Sequence, residues 1–207
     1  MVGDRGLFVT VDGPSGVGKT TVSRLLGLKL EAQGLDVLVT ATPSGSKLGS
    51  LARGCTYKLR GMALTCLVAA DRYHHDWEVV RPALAGGAVV VCDRYVPSSL
   101  VLDVLDGIEP KVVQTLYGAI TVPDVAIVLT GDPAVCATRA GMRGRYSRFH
   151  STNEDDARRE KMLFDTATTL LIKAGYRTHE HDIGRTSAHE VADALISIVL
   201  NAKEGLS

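Results

Sequence analysis

The chain has 207 residues, is 45% hydrophobic, and balances 23 basic against 23 acidic side chains. That length and apolar content suit one well-cored domain spanning residues 1–207, and the lack of net positive charge removes the electrostatic case for a nucleic-acid polymer as partner. The four cysteines, Cys55, Cys66, Cys92 and Cys136, show no C-x-x-C spacing and read as reduced thiols, no apolar run approaches the roughly 18 residues of a membrane span, and no basic-then-apolar leader opens the chain, so the expectation is a cytoplasmic protein with no membrane partner.

In chain order, short apolar runs recur at Leu7 to Asp12, Leu35 to Thr40, Ala88 to Asp93, Val125 to Thr130 and Tyr176 to His181, with helix-length segments between them. This alternation predicts an α/β fold with a five-stranded parallel sheet between layers of helices. The first run leads into Gly13-Pro14-Ser15-Gly16-Val17-Gly18-Lys19-Thr20, a complete Walker A loop, followed by a helix striped by Val22, Leu25, Leu26, Leu28 and Leu30 that Gly34 closes. Such a loop binds polyphosphate. Backbone N–H groups at Gly13, Ser15, Gly16 and Gly18 and the start of the helix at Thr20 and Thr21 converge on phosphate oxygens, Lys19 reaches the β- and γ-phosphates, and the Thr20 hydroxyl faces Mg²⁺. ATP and Mg²⁺ are therefore the expected ligands.

A helix is expected over Lys47 to Leu59 and a longer one from Met62 to Leu84, which carries Asp71-Arg72. Arg72 lies one turn from Val68 on the same side and is placed to grip an acceptor base or phosphate. His74 and His75 are adjacent and lack the spacing of a helical metal pair. The third strand ends in Cys92-Asp93-Arg94-Tyr95, at the sheet edge where α/β folds bind ligands. Asp93 is the candidate for organising Mg²⁺ and Arg94 for bridging donor and acceptor phosphates. Asp12, just before the Walker loop, either accepts a hydrogen bond from the acceptor or a metal-bound water, or caps the loop.

Pro97-Ser98-Ser99 opens another helical piece, Lys111 to Ile120 forms a further one, and the last helix is expected from Ser187 to Asn201. One segment departs from the charge balance: Arg139 to Arg148 holds four arginines and two glycines, the composition of a mobile basic flap, or LID, over about residues 140–153.

Taken in order, these residues resemble the thymidylate kinase family along nearly the whole chain. The resemblance rests on F-V-T-V-D-G-P-S-G-V-G-K-T-T, on Ala69-Ala70-Asp71-Arg72, on Asp93-Arg94-Tyr95 followed by Ser98-Ser99, on Pro123-Asp124, on the arginine flap ending in Arg148-Phe149, and on Asp182. It implies a P-loop kinase fold with an arginine-rich LID, transfer of the γ-phosphoryl of ATP to a nucleoside monophosphate with Mg²⁺, and a homodimer. Because Gly16 stands where some members carry an arginine, it also implies that catalytic arginine comes from the flap, with Arg143, Arg145 and Arg148 as candidates.

The acceptor side departs from the family pattern. T-R-E-P-G-G-T appears as Thr40-Ala41-Thr42-Pro43-Ser44-Gly45-Ser46, the stacking phenylalanine as Val68, the base-reading Asn or Ser as Ser99, the tyrosine that crowds a 2′-hydroxyl as Leu102, and D-R-F-E as Ser147-Arg148-Phe149-His150. The expected acceptor set is thus Val68, Arg72, Arg94, Ser98, Ser99 and Leu102, for dTMP or a related pyrimidine nucleotide. Two other readings share the donor motif: a kinase of the same fold redirected to a modified nucleotide or a nucleoside, and a non-catalytic nucleotide-binding regulator.

Overall fold

The computed structural model describes residues 5–144, 147–149 and 153–205. Five parallel strands, β1 (Leu7–Asp12), β2 (Val37–Ala41), β3 (Val89–Asp93), β4 (Val125–Thr130) and β5 (Thr178–Asp182), form one sheet in the order β2-β3-β1-β4-β5. The central strand β1 is buried along its whole length because helices cover both faces. Side-chain alternation then splits its residues between two cores. Leu7, Val9 and Val11 pack with Leu26 and Leu30 of α1 (Lys19–Glu31) and Leu195 and Val199 of the last helix, Ala188–Glu204. Phe8 points to the other side, where it meets Tyr95 edge-on at 5.0 Å and packs with Leu100, Val101 and Phe164. Each such fully buried side chain contributes about 1.5–3 kcal/mol.

Between β2 and β3 the chain forms α2 (Lys47–Gly54), α3 (Met62–His75), a π-helical segment at Asp76–Val80, and α4 (Arg81–Ala85). The long periodic stretch from Met62 is thus one helical rod with a register change: the N–H of Arg81 bonds to the Asp76 carbonyl, five residues back, immediately before Pro82, which has no N–H to give. The helix expected to reach Leu59 stops at Gly54, and beyond it the carbonyls of Thr56 and Leu59 accept from the Arg148 side chain. After β3 come α5 (Val96–Leu105) and α6 (Pro110–Leu116), shorter than the expected reach to Ile120. Then α7 (Pro133–Met142) carries the first flap arginine, Arg139, in regular helix, so the irregular connection begins only at Arg143. α8 (Glu154–Lys173) and α9 (Ala188–Glu204) complete the chain, the latter opened by a reciprocal capping box between Ser187 and Glu190.

Parallel pairing aligns Val11 and Ala41 with Asp93. Asp12 and Asp93 therefore emerge at one sheet edge, with α1 and α5 starting beside them.

Candidate active site

The Walker loop turns out of β1 with Gly18 in the left-handed region (φ 103°), so the first N–H groups of α1 face the loop's hollow. Lys19 folds back into this hollow, donating from Nζ to the carbonyls of Gly13 and Pro14, each at 2.7 Å. It is buried, and burial together with the nearby Arg94 charge lowers its pKa to about 7. Thr20 donates its hydroxyl to Asp93 Oδ2 at 2.5 Å, while Asp93 Oδ1 is buried with no hydrogen-bond partner among the described residues. A hydroxyl beside a half-satisfied carboxylate is a hard-oxygen pair that fits Mg²⁺. Among the described residues no group of three or more His, Cys, Asp or Glu side chains gathers as a metal cluster.

Gly16 packs against the backbone of α7. A Cβ there would lie 2.0 Å from the Cys136 carbonyl oxygen, at a φ of +82° that side chains avoid. The close approach leaves no room for an arginine in the loop. The neighbouring Ser15 gives its N–H and its hydroxyl to Oε1 of the buried Glu160 on α8, at 3.0 and 3.2 Å.

Two cavities flank the loop. One, of about 440 Å³, is lined by Gly16, Gly18, Thr21, Arg139, Arg143 and the segment from Ile183 to Ala188. The other, of about 310 Å³, lies between α3 and α5 and is lined by Ser15, Val68, Arg72, Asp93, Arg94, Ser98, Ser99, Leu102, Asp103 and Phe149, among others. Every expected acceptor residue lines this second cavity, and Ser15 and Gly16, adjacent in sequence, face the two cavities in turn.

Arg72 is nearly fully buried. Its guanidinium donates to Ser99 Oγ at 2.6 Å and Thr42 Oγ1 at 3.2 Å and sits near the rings of Tyr95 and Tyr117, 5.6 and 5.0 Å from their centroids. Ser99 also pairs with the Tyr117 hydroxyl at 3.1 Å. Arg94 adopts a left-handed backbone (φ 71°), held by its N–H on the Val11 carbonyl and its own carbonyl on Thr42 Oγ1. Such a conformation costs a non-glycine residue about 1–2 kcal/mol, and it turns the chain sharply off β3. Asp12 Oδ1 accepts from the N–H groups of Tyr95 and Ser98 and from the Ser98 hydroxyl, at 2.9, 3.0 and 2.6 Å. Burial raises its pKa, against these hydrogen bonds. Oδ1 of Asp12 thus caps the start of α5 rather than the Walker loop, and it engages Ser98 as well.

The loop that departs from T-R-E-P-G-G-T is rebuilt on other charges. Ser44 and Ser46 bind Asp71 of α3, and Arg53 of α2 donates to the carbonyls of Pro43 and Ser44, with Thr42-Pro43 in the cis form. In the flap, Arg143 is exposed at the rim of the larger cavity, whereas Arg145 and His150 lie outside the described residues. Arg148 sits on the acceptor side. Nη1 and Nη2 bind the two Asp106 carboxylate oxygens at 2.5 and 2.6 Å, Nε and Nη2 bind the carbonyls of Thr56 and Leu59, and the guanidinium covers the Phe149 ring. Placed so, Arg148 ties the flap to Asp106 and to the loop after α2. Sequence reasoning missed Asp103, Asp106, Tyr117 and Glu160. The two aspartates had a signal: they are the acids on and just after α5, which carries no other charged residue, and Asp103 lies one turn beyond Ser99.

The family model "Thymidylate kinase" matches residues 11–180. The chain is 39% identical to the thymidylate kinase of Clavibacter sepedonicus over 186 residues, 83% of this chain and 88% of that protein. It is 30% identical to that of Pseudomonas fluorescens over 97% of this chain and 99% of the relative. The crystal structure of thymidylate kinase from Ehrlichia chaffeensis shares the fold, with a TM-score of 0.71 at 22% identity over 94% of this chain and 98% of that one. No helix among the described residues is long and apolar enough to cross a membrane. The chain belongs to the thymidylate kinase family and is a phosphotransferase, an ATP-dependent nucleoside monophosphate kinase whose acceptor is dTMP or a related pyrimidine nucleotide.

Proposed function

We propose that the protein phosphorylates dTMP to dTDP, with ATP in the larger cavity and dTMP in the smaller. The observation that carries this reading is the placement of Ser15 and Gly16, neighbours on one loop, in the walls of two different cavities. Two nucleotides bound there would meet phosphate to phosphate across the Walker loop.

Lys19 would leave the Gly13 and Pro14 carbonyls for the β- and γ-phosphates, and Gly13, Ser15, Gly16, Gly18, Thr20 and Thr21 would surround the triphosphate. Arg94 would lie between the two phosphate groups, with Arg143 and Arg145 closing from the flap. Thr20 and Asp93 would hold Mg²⁺, which when bound neutralises charge on the β- and γ-phosphates. An oxygen of the acceptor phosphate, already anionic at neutral pH, forms the new bond to the γ-phosphorus as the bond to ADP breaks, and ADP leaves with the electron pair. No general base is required, so Asp12 is free to serve as the cap on α5. Val68, Arg72, Ser99 and Leu102 would enclose the acceptor's nucleoside, with Ser98 held behind them by Asp12.

A homodimer in the cytoplasm completes the reading. The exposed Met62 and Trp77 on one helical rod support a second copy of the chain as partner, and the free thiols suit a reducing compartment. The test is a kinase screen over dTMP, dUMP, UMP, CMP and thymidine. Preference for dTMP, with turnover abolished by Lys19→Ala and by Arg94→Ala, is expected. Phosphorylation of thymidine in preference to dTMP, or near-normal turnover by either variant, would refute the assignment.

A further inference from the structure

Glu160 lies nearly two turns into α8 and is only 1% exposed. A carboxylate so deeply buried costs stability unless donors meet it, and an apolar side chain fills such a space at less cost. Its Oε1 accepts the N–H and the hydroxyl of Ser15, at 3.0 and 3.2 Å. Among the described residues, both donors of Ser15 thus go to one oxygen. The Pro14–Ser15 peptide is trans, so its N–H and C=O point in opposite directions. Glu160 takes the N–H on one side, and the carbonyl on the other accepts from Lys19 Nζ at 2.7 Å.

This grip falls where the backbone has little stiffness of its own. Gly13, Gly16 and Gly18 have positive φ, at 140°, 82° and 103°, a region that glycine enters and leaves without steric cost. Gly16 is confined by the α7 backbone at Cys136, and Ser15 by its hydrogen bonds to α8. The two residues that face different cavities are therefore held by different helices, and the place of Ser15 depends on the reach of one side chain.

We propose that Glu160 is a positioning residue for phosphoryl transfer, acting through Ser15 to keep the two cavities in line across the Walker loop. This deepens the reading of those cavities as donor and acceptor sites and rests on it. A displacement of about 1 Å between two bound reactants costs about 100-fold in rate while each is still bound. Loss of the Glu160 bonds therefore acts on alignment more than on the binding of either nucleotide.

The experiment combines steady-state kinetics with the binding of a ligand that joins adenosine to thymidine 5′ to 5′ through five phosphates, on the unaltered enzyme and on Glu160→Ala, Glu160→Asp and Glu160→Gln. In Glu160→Ala, and in Glu160→Asp, which keeps the carboxylate on a side chain one methylene shorter, kcat and the affinity for the joined ligand are each expected to fall about 10- to 100-fold. The KM values for ATP and dTMP stay within about threefold. Glu160→Gln, which keeps an oxygen at the same reach, stays within about threefold of the unaltered enzyme in every quantity. Equal losses for the joined ligand and the single substrates, unaltered behaviour of Glu160→Asp, or a Glu160→Gln enzyme as impaired as Glu160→Asp would overturn the inference and leave the kinase reading intact. Should Glu160→Ala not fold, the contrast between Glu160→Asp and Glu160→Gln decides. Failure of the joined ligand to compete with both substrates on the unaltered enzyme would overturn the two-cavity reading as well.

Discussion

Arg148 and Asp106 are joined by two parallel hydrogen bonds, from Nη1 to Oδ1 at 2.5 Å and from Nη2 to Oδ2 at 2.6 Å, which tie the flap to the end of α5. The pair is partly withdrawn from water, with side-chain exposures of 16% and 7%, and the fork geometry favours arginine over lysine. Arg148 also holds the loop after α2 by its carbonyls, and Phe149 beside it lines the acceptor cavity. Arg148→Lys and Asp106→Asn are therefore expected to raise the KM for the acceptor about tenfold while the KM for ATP stays within about twofold, as the loss of one charge-assisted pair implies. The double variant should be little worse than either single one. Steady-state kinetics of the three proteins check this, and an equal rise in both KM values would show that the pair does not serve the acceptor side in particular.

Lys19 leads to a pH prediction with a definite sign. Its pKa of about 7 in the free protein, lowered by burial first and by Arg94 next, leaves a large neutral fraction above pH 7. ATP favours the charged form and raises the pKa, so binding at pH 8 takes up a proton and affinity weakens as pH rises through 7. Calorimetry at pH 8 in buffers of different ionisation enthalpy should report this uptake. It should vanish in Lys19→Met.

Gly16 is fixed by α7 behind it. Because any side chain there begins 2.0 Å from the Cys136 carbonyl, Gly16→Ala should displace the Walker loop and weaken ATP binding, and Gly16→Arg should abolish it. The expected loss for alanine is about 1–3 kcal/mol of stability or binding, the range of over-packing combined with an unfavourable φ. Thermal melts with and without ATP separate the two effects, and a wild-type response to ATP in Gly16→Ala would contradict the account.

The donor half of the site was legible in the sequence because its parts are contiguous. Strand, Walker loop and helix follow one another, and Asp93-Arg94 sits at the end of an apolar run, so backbone geometry alone brings Thr20 to Asp93. The acceptor half depends on side chains brought together from α3, α5, α6 and the flap. Tyr117 reaches Ser99 from just past the end of α6, Asp71 anchors Ser44 across 27 residues, and Arg148 finds Asp106 across 42. The chain beyond the end of α2 at Gly54 is likewise held by a distant partner, since an arginine far along the sequence bonds the Thr56 and Leu59 carbonyls, which no local pattern announces.

The central claim is that the two cavities are halves of one phosphoryl-transfer site, and a bisubstrate ligand tests it most directly: adenosine and thymidine joined 5′ to 5′ through five phosphates. Measured against each substrate in turn, it should inhibit competitively with respect to both ATP and dTMP, and bind far more tightly than either nucleotide alone. Competition with one substrate only, the other still binding beside it, would contradict a shared site across Ser15 and Gly16.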